Sequence, residues 1–246
     1  MSFDGAAIHY DVYAAPSSSA VVVVPGFWRD RRHHSMVRLA HYLVDAGYRA
    51  VVMDPRGHGG SEGTYGFNQH EHHDVHAVLR HLLESHPTIG TITLVGFSYG
   101  GAVAVSTLAR HPEVPVASLL LISSVADFAM ITPRINPFTM HRHIALSQAL
   151  RTPKFVWNVR KCAKLRALDD MAGVRVPVCF VHVKNDWLIG HQHSVALYEA
   201  ANEPKELHLL DIAGNYHADR IFNVASDAIE PIVREFLLRH TPLSPL

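Results

Sequence analysis

Cysteine is scarce in this chain of 246 residues, which has only Cys162 and Cys179. Two cysteines exclude a disulfide-framed fold. Cys179 lies in an apolar segment, where core packing is its expected role. A net charge is missing as well: Lys plus Arg and Asp plus Glu each total 22. Composition therefore offers no basic surface for nucleic acid and no polybasic membrane patch. No apolar run reaches the length of a membrane span. Residues 1–12 carry charged and polar groups where a secretory signal would have an apolar centre. Internal repeats and low-complexity segments are also lacking. These absences lead to the expectation of a cytoplasmic chain with no nucleic-acid partner and no integral membrane segment. Nothing in the sequence speaks to oligomeric state.

What is present is an ordinary core, 48% hydrophobic against 18% charged. The length suits one large α/β domain spanning 1–246. Alternation at Ile8, Tyr10 and Val12 predicts a first strand. Ala20–Val24 is wholly apolar, as in the middle of a parallel sheet. Further strands are predicted at Tyr48–Asp54, Thr91–Val95, Ala117–Ser123, Val178–Val183 and Glu206–Leu210. Helices are predicted over about 34–46, 69–85, 99–110, 191–202 and 219–239. Strands separated by helices imply a mostly parallel sheet covered on both faces. The alternation breaks beyond Asp127. Pro133, Pro137 and Pro153 interrupt a stretch holding Phe138, Met140, Phe155 and Trp157, so residues 128–170 are expected to form a small insertion of one or two short helices.

The run Gly96-Phe97-Ser98-Tyr99-Gly100 joins an apolar strand to a small-residue helix. Gly-x-Ser-x-Gly in that setting is a nucleophile elbow, a turn sharp enough to strain the serine and to leave no room for side chains at 96 and 100. A serine hydroxyl is a weak nucleophile until a base takes its proton and an acid orients that base. Both partners should sit past the carboxyl ends of strands. Asp186 and His217 do so, in the order Ser, Asp, His. Asp127 also follows a strand end and is the alternative acid. Asp54 precedes the serine, and Asp211 is too near His217 in sequence. Among the histidines, His182 and His208 fall inside strands, while His191 and His193 open a helix. A developing oxyanion needs two N–H donors. The expected pair is the backbone of Tyr99 and that of Phe27, in the loop Pro25-Gly26-Phe27-Trp28. The side chains of Phe27 and Trp28 are expected to line a substrate pocket, with simple core packing as the alternative.

Histidine is abundant, at 20 residues. His70, His72, His73 and His76 fall together, and His72 and His76 share a helix face as metal ligands do. Ala77, Val78, Leu79, Leu82 and Leu83 continue an amphipathic helix there. The imidazoles are therefore expected to decorate its first turns, with metal binding as the alternative.

Three further motifs complete a resemblance. Asp54-Pro55-Arg56-Gly57-His58-Gly59-Gly60-Ser61, Lys184-Asn185-Asp186 and Gly214-Asn215-Tyr216-His217 join the elbow to make the chain resemble an α/β-hydrolase-fold serine hydrolase. The kind is the compact bacterial esterase or lysophospholipase, and the likeness runs from about 2 to 240. It implies a mostly parallel sheet with helices on both faces, a cap at 128–170 that sets substrate choice, and a structural role for the loop holding His58. It also implies hydrolysis of a small acyl substrate, an ester or thioester, through an acyl-enzyme and without metal or organic cofactor. Amide or carbon–carbon bond hydrolysis and acyl transfer use the same machinery. A ligand-binding or regulatory protein on the same scaffold is the rival from another class. Pro25 departs from the family's pattern, in which many members carry His before the oxyanion glycine.

Overall fold

Runs of valine, isoleucine and leucine build the sheet. In the computed structural model, which describes residues 1–131, 153–156 and 166–244, seven strands form: β1 (Tyr10–Tyr13), β2 (Ser19–Val24), β3 (Arg49–Met53), β4 (Thr91–Phe97), β5 (Ser118–Ile122), β6 (Val178–Val183) and β7 (Lys205–Leu210). Their order is β1-β3-β2-β4-β5-β6-β7. Only β1 runs antiparallel to its neighbour. Strands β2, β3, β5 and β6 are buried throughout, which explains why they read as mainly apolar runs.

Alternate side chains of these strands enter two cores. Val22, Val24, Leu94, Leu119, Leu121 and Phe180 meet helices α2 (Glu71–Ser85) and α3 (Tyr99–Arg110) on one face. Val21, Val23, Phe97, Leu120 and Val181 meet α1 (His34–Asp45) and the helix Ser226–His240 on the other. Cys179 is buried in this second core. Cys162 lies outside the described residues.

Register then decides where chemistry gathers. Val24 pairs with Gly96, Phe97 with Ile122, Ile122 with Val181 and Val183 with Leu210. The carboxyl ends of β2, β4, β5, β6 and β7 therefore share one rim, and the loops after them share one surface.

Two expectations need correction. The closing helix does not run unbroken over 219–239. It is a 3-10 turn Ala218–Arg220, a short helix Ile221–Val224, and then Ser226–His240. Ala225 leaves helical geometry between them, at φ −143° and ψ 42°, and Asp227 supplies the acidic residue that favours a fresh helix start. The elbow strand is also longer than predicted, reaching Phe97. Of the insertion expected at 128–170, the described parts are the 3-10 turn Phe128–Met130, a bridge between Tyr65 and Phe155, and the short helix Ala167–Asp170. The rest of that expectation falls outside the described residues. Among the described residues no helix is long and apolar enough to cross a membrane.

Candidate active site

Ser98 stands between the last residue of β4 and the first of α3, with φ 53° and ψ −120°. A non-glycine residue at positive φ is strained and persists only where its surroundings fix it. Here the backbone N–H of Ser98 donates to the Ile122 carbonyl at 2.9 Å, and its own carbonyl accepts from Gly101 and Val125. The glycines are needed for contact. A Cβ at Gly96 would overlap the backbone of Gly101, and one at Gly100 would overlap the carbonyls of Val24 and Pro25. Gly101 is a third such position, since a Cβ there would overlap the Ser124 hydroxyl. The motif pointed to two of the three.

Two loops from the same rim complete the arrangement. His217 Nε2 lies 2.9 Å from Ser98 Oγ, and His217 Nδ1 lies 2.7 Å from Asp186 Oδ2. The carboxylate accepts, so Nδ1 carries the proton and Nε2 is left to accept from the hydroxyl. Asp186 is itself held. Its Oδ1 accepts from the backbone N–H groups of Leu188 and Ile189, each at 2.9 Å. Burial opposes its charge, but His217 and a hydrogen bond from His182 outweigh that and hold the carboxyl well below its ordinary range. The orienting group is an ionised carboxylate, and the contacts can draw a proton from Ser98 as its oxygen bonds to an electrophile.

The competing residues are engaged elsewhere. Asp127 caps the 3-10 turn after β5 by accepting from the Ala129 N–H, and it pairs with Arg166 at 3.2 Å. Asp54 is buried and accepts from the backbone of Arg31 and Gly60. Asp211 pairs with Lys184 at 3.2 Å. His182 lies beneath Asp186, bonded to Ser194 and to the Ile189 carbonyl. His193 accepts from the Ala126 N–H, His191 meets the Lys184 carbonyl, and His208 faces Glu206.

The loop after β2 comes against Ser98, so that a Cβ on Gly26 would stand 3.0 Å from Ser98 Cβ and 3.6 Å from its Oγ. Phe27 follows directly. The Tyr99 N–H opens α3, in the turn where helical N–H groups lack intrahelical partners and the dipole favours negative charge. The Phe27 ring is half-buried and touches Trp28, His58, Tyr65, Phe67 and Phe155. Tyr99 and Phe128 continue this aromatic group from Phe67. Two supports of the loop escaped the sequence reading. His58 Nε2 accepts from the Trp28 N–H at 3.1 Å, while its Nδ1–H donates to the Arg56 carbonyl at 3.0 Å. Arg29 Nε reaches both carboxylate oxygens of Asp219 at 3.1 Å, tying this loop to the one that carries His217. The motif around His58 hinted at the first; no local signal marks the second.

Comparison with known proteins gives the same architecture. Residues 21–238 match the family model described as the alpha/beta hydrolase family. The uncharacterized protein YfhR of Escherichia coli K12 is 25% identical over 203 residues, covering 81% of this chain and 64% of YfhR. The chain thus matches somewhat less than two thirds of that relative's length. The bifunctional esterase/perhydrolase DCH of Acinetobacter calcoaceticus is 34% identical over 98 residues, 39% of this chain and 33% of that protein. The solved structure of the Pyrococcus furiosus esterase Pf2001 superposes with a TM-score of 0.79 at 20% identity, covering 98% of this chain and 89% of that one.

Proposed function

Because the chain belongs to the alpha/beta hydrolase family, we propose that it is a serine hydrolase that cleaves a carboxylic ester through an acyl-enzyme, with Ser98 as nucleophile, His217 as base and Asp186 as orienting acid. The observation that carries this reading is the unbroken series of contacts Ser98 Oγ, His217 Nε2, His217 Nδ1, Asp186 Oδ2, at 2.9 and 2.7 Å. The names of DCH and Pf2001 support the ester as the first substrate class to test.

In the first half-reaction Ser98 Oγ bonds to the acyl carbonyl carbon and its proton passes to His217 Nε2. Asp186 stabilises the imidazolium. The backbone N–H groups of Phe27 and Tyr99 receive the oxyanion. Collapse expels the alcohol oxygen, which takes the proton from Nε2. In the second half water attacks the acyl carbonyl, with His217 again as base, and the acid product leaves. No step needs a metal or organic cofactor. Trp28 and the aromatic group around Phe27 suit an apolar portion of the substrate. From the segment 128–170, the described Phe128 and Phe155 touch this aromatic group.

Labelling with a fluorophosphonate probe tests the reading. Wild type should be labelled, and Ser98→Ala should not. Folded wild type that takes no label would overturn the proposal in favour of a ligand-binding protein on a hydrolase scaffold. A series of ester and thioester substrates of graded acyl length then finds the preferred acyl group.

A further inference from the structure

Four histidines and a glutamate meet at the far end of α3 from Ser98. His72, His73 and His76 project from the early turns of α2, His111 ends α3, and Glu113 follows. Sequence spacing gave no hint of His111, because a different helix delivers it. His72 is buried and is not the solvated decoration that was expected. The geometry points to a site for one divalent transition-metal ion of the zinc class, with His72, His73 and His111 as ligands and Glu113 as the carboxylate that orients His111.

The ligand atoms of His72, His73 and His111 all lie within 4.8 Å of one another. His72 Nδ1 and His111 Nε2 stand 3.2 Å apart. Two nitrogens bound to one tetrahedral Zn²⁺ at about 2.0–2.1 Å are separated by about 3.3 Å. The two rings share one hydrogen bond, and its length also matches the spacing of two coordinated nitrogens. The other nitrogen of His111, Nδ1, faces Glu113 Oε1 at 3.6 Å, and His76 Nε2 faces the same oxygen at 3.2 Å. A carboxylate opposite Nδ1 favours the proton there and leaves the Nε2 lone pair turned towards His72, the arrangement by which carboxylates orient metal-bound histidines. Three imidazoles without thiolates suit zinc, nickel or copper better than magnesium or calcium. Water would fill the fourth position.

The site lies about 20 Å along α3 from Ser98, at 1.5 Å per residue. It would pin α2 to α3 and would take no part in acyl transfer. The test uses full-length protein with any polyhistidine tag removed. Calorimetric titration with ZnCl₂ should show one saturable site per chain, and Co²⁺ should give the intense visible absorption of a tetrahedral complex. His111→Ala and the partly exposed His73→Ala should each weaken zinc binding at least tenfold. His41→Ala, an exposed histidine on α1, should leave it unchanged. Thermal unfolding with and without zinc should show a rise for wild type and none for His111→Ala. Absence of a saturable site would overturn the assignment. So would unaltered affinity in His111→Ala, or an equal loss in His41→Ala, which would mean diffuse binding to surface histidines.

Discussion

His217 makes two hydrogen bonds that allow only one tautomer. Its Nδ1–H is committed to Asp186, so Nε2 faces Ser98 as an acceptor. Replacing it with alanine removes the proposed base while touching little of the core, since its side chain is 12% exposed at the rim. Turnover in His217→Ala should fall by about 10⁴ to 10⁶, in line with triad deletions, with thermal stability near wild type; steady-state kinetics and a melting curve measure both. His58 works differently. It is 5% exposed, and burial pulls its pKa from 6.5 down to about 4. Between those values the unfolded chain binds a proton that the folded chain refuses, so the stability His58 contributes is present above pH 6.5 and is lost as pH falls through about 4. That shift corresponds to about 3 kcal/mol in full, with roughly half of it gone by pH 5. Melting temperatures at pH 7 and pH 5 should differ by several degrees more in wild type than in His58→Gln. An equal drop in both proteins would contradict the role given to this ring.

At the scale of elements, the strand-turn-helix of β4 and α3 is the part most legible in the sequence. Gly96, Ser98 and Gly100 each have a local steric reason, and local sterics are what a short motif encodes. Gly100→Ala would drive a methyl group into the carbonyls of Val24 and Pro25. It should cost about 1–3 kcal/mol of stability, the range for overpacking. Denaturant unfolding reads that cost, and activity should fall with it because the displaced residues begin the loop that carries Phe27. A neutral Gly100→Ala would contradict the packing described. The closing helix was less legible. The apolar pattern of 219–239 continues across Ala225, while the backbone does not. Periodicity reports which face is buried and is insensitive to a single residue leaving helical geometry. Supports made between elements were the least legible, and only the motif around His58 hinted at one of them. The Arg29–Asp219 pair joins residues 190 positions apart, and His111 meets His72 across 39.

At the scale of the whole molecule, the fold was readable because a parallel sheet covered on both faces demands short, buried, mainly apolar strands, and β2, β5 and β6 are such strands, with Ser19, Ser118 and His182 as their polar members. Chain order placed Ser98, Asp186 and His217 after β4, β6 and β7. Register alone brought their loops to one rim, and the contacts of 2.9 and 2.7 Å follow from it. The proposed mechanism requires this rim to hold an acyl group on Ser98 during turnover. Rapid quenching of the enzyme with an activated aryl ester, followed by peptide mass spectrometry, tests it most directly. The acyl mass should map to Ser98, with a burst of phenol matching one equivalent of enzyme. An acyl group found on another residue, or undiminished ester hydrolysis by Ser98→Ala, would contradict the account.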